Sequence, residues 1–502
     1  MKDSRSEPVI RLSLVCLICL TVVWSGCSGL SSSSAGNSGS GSSRPQNLQA
    51  INHIIFMAQE NRGFDHYFGA MRQYWADNSI ADQSFDGLPQ FNPSSGATPL
   101  RGPVASNPGC DPAFPPPSDC VHDKASPAVD SLHMISMCLE NPSPSWNESH
   151  TDWNLSDPVS SKPTLDGFVH AAAHDARAQP QTFTDVDGRR AMSYYDGNDL
   201  PYYYFLASNF ATSDRWFSPV MSRTQPNRMY SLAATSAGHV YPLTGPPLKN
   251  PTIFDELSAA GVSWKVYVTD LQHAKPPVQD SALNMFAAAA KYPKNIVSSS
   301  EFLTDVQNGS LPSVAYIDPG YASGLDEHPG LDDNHPGGNI QAGAQYVSTL
   351  INALMQSSSW QDSVFILTYD EGGGFYDHVA PQAAVSPDGI KPVDLQSNST
   401  VRDICTYSTG PNCNFVFTGY RVPLMVISPF AKKNYVSHTV ADYTAWLKLV
   451  ETRFGVSSLT KRDAAQMDMT EFFDFQNPPW LNPPTNIPKQ DVTGPCYTDH
   501  LP

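Results

Sequence analysis

The chain has 502 residues, which is long enough for one large α/β domain with insertions. Its 40% hydrophobic content supports a sizeable core, and its 44 prolines and 32 glycines indicate long ordered loops on a rigid scaffold. The formal net charge of −18 would repel a phosphate backbone, which argues against nucleic acid as a partner. An anionic substrate would need a local cation to overcome this field.

The first 27 residues have the pattern of an export signal. A positively charged start precedes an apolar segment at residues 12–24, which has signal-peptide length and is short for a membrane span. Ser-Gly-Cys follows and resembles a bacterial lipoprotein box, although Trp24 stands where an aliphatic residue is usual. We predict a signal peptide over residues 1–27, with either lipidation of Cys27 or free secretion as its outcome.

The segment after Cys27 is rich in serine and glycine and predicts a flexible tether over residues 28–45. A lipidated Cys27 would attach the protein to a membrane through this tether. The predicted location is therefore outside the cytoplasm, as an outer-membrane or periplasmic lipoprotein or as a secreted protein.

Six cysteines lie beyond Cys27, and an even number in an exported chain indicates disulfides. Cys405 and Cys413 bracket a short turn, so they form the first predicted pair. Cys110 and Cys120 similarly bracket a proline-rich loop.

The first chemical segment follows an apolar strand predicted at residues 53–58. This strand ends before Glu60 and Asn61, two oxygen donors suited to a hard divalent cation. Arg62 offers an alternative, in which it neutralises Glu60 as a structural ion pair. After this segment, a loop-rich insert over about residues 71–165 is expected to shape the mouth of a site.

A second chemical segment surrounds Thr224. Pro226 suits the first turn of a helix, and Thr224 stands near its cap. A hydroxyl at a helix N-terminus beside a metal is suited to nucleophilic attack on phosphorus. Two alternatives remain at this point: Thr224 only caps the helix, or Ser222 supplies the hydroxyl.

The rest of the chain alternates apolar runs with helical segments, which predicts an α/β sandwich around a largely parallel sheet. The strand predicted at residues 364–369 ends directly before Asp370 and Glu371. These acids repel each other unless they share a cation or one is protonated. The alternative is a solvated acidic turn.

Further strands are predicted at residues 263–268, 312–317 and 422–428, and helices at 201–208, 253–260, 283–291, 338–355 and 441–454.

Three long segments resemble signatures of the bacterial and plant phosphoesterase family, which contains non-specific phospholipases C and secreted acid phosphatases. They are ENRGFDHYFG at residues 60–69, PNRMYSLAATSAG at 226–238 and DEGGGFYDHV at 370–379. Gly63 is a departure, because serine is usual there. The resemblance spans about residues 52–475 and implies an alkaline-phosphatase-like fold, with a catalytic domain over 46–476 and a proline-rich tail over 477–502.

The resemblance also implies roles for individual residues. One divalent ion of unknown identity would be held by four oxygen donors, and a threonine would form a covalent phospho-enzyme. Two histidines would bind phosphate or transfer a proton, with His133 and His174 as competitors for one and His328 for the other. The implied metal ligands are Glu60, Asn61, Asp370 and Glu371; the nucleophile is Thr224; the phosphate-binding residues are Asn227, His150 and His335.

The predicted function is that of an exported metal-dependent phosphoric ester hydrolase of the phospholipase C type, with a phosphate ester, such as a phospholipid, as its partner. One alternative is an acid phosphatase acting on small phosphomonoesters. Another is a non-catalytic surface lipoprotein. A sulfatase is disfavoured because the chain contains no C-x-P-x-R or S-x-P-x-R segment.

Overall fold

The computed structural model describes residues 44–92, 102–271, 281–330, 338–398 and 402–502. The predicted signal peptide, nearly all of the predicted tether, and His335 lie outside the described residues. Residues Pro45–Pro502 form one compact unit, so the proline-rich tail belongs to the same unit as the predicted catalytic domain.

The elements alternate along the chain as an α/β protein requires. The strands are β1 (His53–Gln59), β2 (Ser106–Pro108), β3 (Ala128–Asp130), β4 (Leu132–His133), β5 (Ser193–Tyr194), β6 (Ala211–Ser213), β7 (Trp216–Phe217), β8 (Trp264–Val268), β9 (Ile296–Ser298), β10 (Val314–Asp318), β11 (Ser363–Tyr369), β12 (Met425–Ile427), β13 (Tyr435–Ser437) and β14 (Ala441–Asp442). The α-helices are α1 (Phe64–Phe68), α2 (Met71–Asp77), α3 (Trp146–Trp153), α4 (Phe168–Ala178), α5 (Pro201–Asn209), α6 (Thr224–Ala233), α7 (Ile253–Ala259), α8 (Ala288–Lys291), α9 (Ser299–Asn308), α10 (Ile340–Met355), α11 (Ala445–Phe454) and α12 (Lys461–Ala464).

An eight-stranded sheet forms the centre of the fold, in the order β13-β6-β12-β11-β1-β10-β8-β9. The pairs from β11 through β9 are parallel, and so is the β13–β6 pair, whereas β12 runs antiparallel to both of its neighbours. The predicted α/β class with a largely parallel sheet is confirmed. Strands β1 and β11 are apolar and buried almost throughout, as expected for central strands covered on both faces.

Helix α10 illustrates how the sequence pattern positions the outer layer. Its apolar residues recur at helical spacing and are buried, among them Val347, Leu350 and Leu354. Asn339 caps its start by accepting hydrogen bonds from the amides of Gln341 and Ala342. This helix agrees with the prediction over residues 338–355.

The helix predicted over residues 283–291 was only partly right. A 3-10 turn at Ala282–Met285 and the short α8 replace it. The two pieces are separated because Phe286 is extended, and its amide bonds back to the Leu283 carbonyl. Alanine-rich composition favours a helix, but the tertiary setting overrides it here.

Three disulfides are present in the described residues. The predicted pairs Cys405–Cys413 and Cys110–Cys120 are confirmed. The third links Cys138 in the insert to Cys496 in the tail across 358 residues. The tail is therefore covalently attached to the insert.

Within the described ranges, none of the helices has both the length and the apolar character needed to cross a membrane.

Candidate active site

The site is built where β1 and β11 end. Gln59 pairs with Tyr369 in the parallel register, so the residues that follow each strand emerge side by side at the carboxyl edge of the sheet. The amide of Asn61 donates to Asp370 Oδ1 at 2.9 Å, which joins the two loops directly. The structure thus brings Glu60 and Asn61 beside the loop that carries Asp370 and Glu371, and the metal-binding role of these four residues stays a prediction.

The loop backbone is specialised to allow this approach. Asn61 has a φ of 57°, in the left-handed region that asparagine tolerates better than most residues. Gly373 also has a positive φ, and a Cβ there would lie 2.2 Å from the Asn61 carbonyl oxygen. A side chain at Gly373 would therefore push the two loops apart.

Thr224 is the first residue of α6, and its hydroxyl faces the acidic loops. Its Oγ1 lies 3.0 Å from Glu60 Oε2 and 3.3 Å from Asn61 Oδ1. Thr224 is not the helix cap, because Arg223 occupies that position. The interpretation of Thr224 as a simple cap was therefore wrong in its geometry.

Glu60 uses its second oxygen for a buried ion pair. Arg228 donates to Glu60 Oε1 from Nε at 2.9 Å and from Nη2 at 2.6 Å. The alternative prediction named Arg62 as this partner, but Arg62 Nε donates to the Glu327 carbonyl. Arg228 therefore fixes one oxygen of Glu60 and leaves the other to Thr224.

Burial raises the pKa of each of the three carboxyl groups in the cluster. Nearby Glu60 adds to the upward shift in the pKa of Asp370, and Asp370 does the same for Glu371, while Arg228 opposes the rise for Glu60. Asp370 Oδ2 and Glu371 Oε1 are buried without a hydrogen-bond partner among the described residues. The cluster therefore carries more negative potential than the nearby arginine compensates.

These residues fit a divalent cation by the chemistry of their donors. Carboxylate, amide and hydroxyl oxygens are what hard divalent cations bind. Glu371 Oε1 is buried without a hydrogen-bond partner among the described residues, and Asp370 Oδ2 faces Arg228 Nε at 3.5 Å. Within the described residues, the groups of three or more His, Cys, Asp or Glu residues whose candidate ligand atoms all lie within 4.8 Å of one another are two others. One is Asp65, Asp377 and His378; the other is His133, Asp196 and Asp199.

The first of these groups already contains a protein cation. Arg421 Nη2 lies 2.5 Å from Asp377 Oδ1 and 3.2 Å from Asp65 Oδ1. His378 Nδ1 lies 2.6 Å from Asp65 Oδ2. We interpret this group as a structural clasp between the two segments that begin at Glu60 and Asp370.

Asn227, predicted to bind phosphate, is fully buried and faces its own loop. Its Nδ2 donates to the Ser222 carbonyl at 2.7 Å, and its Oδ1 accepts from the Val220 amide at 3.0 Å. Ser222, the alternative nucleophile, donates from Oγ to the Val240 carbonyl at 2.6 Å. Both side chains hold the loop that presents Thr224.

His150 lies in a different environment from the acidic loops. It is buried in α3, with Nδ1 2.7 Å from the Trp146 carbonyl oxygen and Nε2 3.1 Å from the Asn412 carbonyl oxygen. Burial lowers its pKa to about 4. This geometry favours a structural contact, and the predicted catalytic role of His150 stays a prediction.

Of the three competing histidines, two lie at the surface and one lies at the site. His174 pairs with Asp119 and His133 with Asp199, both on partly exposed surfaces. His328, the competitor of His335, lines the cavity described next.

A cavity of about 670 Å³ opens over Thr224. The insert contributes Asn141 and Pro144 to its wall, in line with the expectation that the insert shapes the mouth. Much of the remaining wall is apolar. Its lining residues are Glu60, Asn61, Asn141, Pro144, Arg223, Thr224, Gln225, Arg228, Pro242, Leu243, Gly245, Pro247, Ser281, Ala282, Asn284, Met285, Tyr321, Ala322 and His328.

Arg228 and Arg223 were missed as site residues by the sequence reasoning. A signal for Arg228 was present, because it stands four residues after Thr224 and so shares its helix face. The ion pair with Glu60 joins residues 168 positions apart, which no local pattern reveals.

Comparisons with known proteins show which family this chain resembles. The family model described as the Phosphoesterase family matches residues 51–457. Phospholipase C B of Mycobacterium tuberculosis is 31% identical over 473 residues, which cover 87% of this chain and 80% of that protein. Non-specific phospholipase C1 of Arabidopsis thaliana is 27% identical over 471 residues, covering 89% and 76%.

Among solved structures, a protein of the alkaline phosphatase superfamily from Vibrio parahaemolyticus is similar at 10% identity with a TM-score of 0.32. The match covers 54% of this chain and 64% of that one. A likeness at this score supports no further conclusion.

An α/β sheet that presents a hydroxyl beside buried carboxylates, together with the family match, defines the class: a hydrolase that acts on phosphoric esters. The chain belongs to the Phosphoesterase family.

Proposed function

We propose that this protein is a phospholipase C that cleaves the phosphoric ester of a phospholipid through Thr224. The observation that carries the proposal is the 3.0 Å contact between Thr224 Oγ1 and Glu60 Oε2 at the wall of the cavity. A hydroxyl held against a carboxylate has an acceptor for its proton and a fixed direction of attack.

The chemistry follows from these positions. Thr224 Oγ1 forms a bond to phosphorus, its proton passes to the carboxylate side, and the bond from phosphorus to the glycerol oxygen breaks. Diacylglycerol leaves with that proton. Water then attacks phosphorus, the bond from phosphorus to Thr224 Oγ1 breaks, and a proton from the water returns to Oγ1 as the phosphorylated headgroup leaves. When bound, a divalent cation held by Glu60, Asn61, Asp370 and Glu371 would lower the pKa of the hydroxyl and offset phosphoryl charge.

Arg228 and the loop around Asn227 keep the nucleophile in position. Arg228 fixes Glu60 Oε1, so Oε2 remains directed at Thr224. Asn227 holds the Ser222 and Arg223 carbonyls at the start of α6. Thr224 and Gln225, the first two residues of this ten-residue helix, line the cavity, and backbone amides at a helix start suit phosphoryl oxygens.

The substrate class rests on two observations. Relatives from a bacterium and a plant are named phospholipases C. The cavity, at about 670 Å³, has room for a headgroup beyond one phosphate and has apolar wall residues such as Leu243 and Met285. We also propose export, because three disulfides are typical of oxidising compartments.

The test measures hydrolysis of phosphatidylcholine vesicles beside p-nitrophenyl phosphate, with and without a chelator. We expect diacylglycerol release that Thr224→Ala abolishes and that a chelator suppresses until one divalent metal is restored. Thr349→Ala is the matched control, since it removes an exposed threonine hydroxyl on α10, away from the cavity wall. Turnover of the small ester alone would establish the acid phosphatase alternative, and no turnover of either would leave the non-catalytic lipoprotein.

A further inference from the structure

Two arginines line the cavity beside Thr224, and they differ in how their charge is used. Arg228 is buried and bonded to Glu60 and to the Ala58 carbonyl. Arg223 is half-buried and, within the described ranges, makes no direct ion pair; its side chain donates one hydrogen bond, from Nη2 to Ser145 Oγ at 2.6 Å. Arg223 therefore brings to the cavity wall a guanidinium group that no carboxylate contacts directly.

The backbone of Arg223 is held firmly. It is the N-cap residue of α6, directly before Thr224, and its carbonyl accepts from Asn227 Nδ2 at 3.3 Å. The end of its side chain is anchored at Ser145, the buried residue that precedes α3. A guanidinium fixed at both ends loses little further freedom when it binds a ligand.

Arg223 lies on the same cavity wall as the acidic loop after β1. Glu60, Asn61 and Thr224 line this cavity together with Arg223, which directly precedes Thr224 in the chain. Its guanidinium group thus belongs to the wall that surrounds the Thr224 hydroxyl.

We propose that Arg223 binds the non-bridging oxygens of the substrate's phosphoryl group, an inference that rests on the proposed function of Thr224. Guanidinium has five N–H donors in a planar fork suited to phosphate, and one of them is used by Ser145. A cation aimed at the oxygens where charge develops stabilises the transition state. Arg228, in contrast, is a positioning residue for Glu60.

The competing interpretation is structural: Arg223 only fastens the insert to the catalytic core through Ser145. The two accounts predict different effects of an Arg223 substitution on the affinity for inorganic phosphate. A phosphoryl-binding arginine changes affinity for inorganic phosphate, while a fastener changes only thermal stability.

The experiment titrates inorganic phosphate into the full-length protein, purified with its metal content unchanged, by isothermal calorimetry. Arg223→Met keeps the side-chain length and removes the charge, and we expect phosphate affinity to fall about 10- to 100-fold. Arg223→Lys should recover part of this loss. Ser145→Ala retains the charge and should weaken binding less than Arg223→Met.

Lys294→Met is the charge-matched control, because Lys294 is an exposed residue at the far edge of the sheet. Affinity unchanged in Arg223→Met, or lowered equally in Lys294→Met, would overturn the proposal. A common drop in melting temperature and affinity that Arg223→Lys does not repair would also overturn it. Because binding is measured without turnover, this result is independent of whether Thr224→Ala abolishes hydrolysis.

Discussion

At the scale of single residues, the two carboxylate oxygens of Glu60 bind different partners. Oε1 accepts from Arg228 at 2.6 Å, and Oε2 lies 3.0 Å from the Thr224 hydroxyl. The carboxylate is 1% exposed, so both contacts form in a low-dielectric setting where they are stronger than in water. The Glu60 side chain therefore affects both the free energy of unfolding and the position of the Thr224 hydroxyl.

Replacing Glu60 should affect both the stability of the fold and the rate of hydrolysis. Glu60→Gln keeps the shape but leaves buried Arg228 with Asp370 Oδ2, at 3.5 Å from its Nε, in place of the shorter pair with Glu60. We therefore expect a loss of up to about 3 kcal/mol in the free energy of unfolding. Turnover should fall by at least about 100-fold, because the acceptor for the Thr224 proton is weakened.

Urea denaturation and hydrolysis assays check this prediction. Glu301→Gln is the control, since Glu301 is 52% exposed and 3.6 Å from Lys265, and its loss should cost less than about 1 kcal/mol. Equal stability of Glu60→Gln and the parent protein would contradict the account of the buried pair.

At the scale of elements, the clasp joins four segments of the chain: α1, the insert, the loop after β11 and the segment that contains Arg421. His378, beyond β11, contacts Asp65 in α1 at 2.6 Å and Asp86 in the insert at 3.1 Å. Arg421 Nη2 lies 3.3 Å from the same ring and pairs with Asp65 and Asp377. The clasp therefore holds the loops after β1 and β11 in register.

This clasp should make stability depend on pH. Burial and Arg421 oppose the charged ring, but Asp65 and Asp86 outweigh them and raise the pKa of His378 to about 9, from an ordinary value of 6.5. A raised pKa stabilises the fold fully below about pH 6.5, and the contribution is lost as the pH rises through 9. We expect the free energy of unfolding to fall by up to about 3 kcal/mol as this contribution is lost.

Unfolding by urea at pH 6, 7.5 and 9 measures the effect. His378→Asn removes the titrating ring and should flatten the decline over this range. An equally steep decline in the variant would assign the pH dependence to other groups.

The sequence predicted those elements whose pattern is local. Uninterrupted apolar runs defined β1 and β11, and acids directly after them defined the metal-ligand candidates, because parallel strands end at one edge. The orientations of the Asn227 and His150 side chains were harder to predict, because a motif gives a residue's position in the chain and not the direction of its side chain. Their contacts with the carbonyls of Ser222 and Asn412 arise only in the folded chain.

At the scale of the whole molecule, covalent links hold the insert and the tail together. Cys138–Cys496 closes 358 residues, and Cys110–Cys120 closes 10. The tail adds hydrogen bonds to this link, for example between the Tyr497 amide and Ser136 Oγ at 2.8 Å. The insert that walls the cavity is thus supported from the C-terminal end of the chain.

Loss of the long-range disulfide should be the more damaging. Closing a longer loop removes more entropy from the unfolded chain, so Cys138→Ala with Cys496→Ala should cost about 5 kcal/mol. Cys110→Ala with Cys120→Ala, the matched control, should cost about 3 kcal/mol. Calorimetric melting of both variants checks the order, and a reversed order would show that the tail contributes little to the folded unit.

The central claim is that Thr224 becomes phosphorylated during turnover. The direct measurement is acid quenching of the protein during hydrolysis of a phosphate ester, followed by peptide mass spectrometry. We predict that the peptide containing Thr224 gains one phosphoryl group at that residue and that Thr224→Ala gains none. An actively hydrolysing protein with no covalent phosphate, or with phosphate on Ser222, would contradict the account.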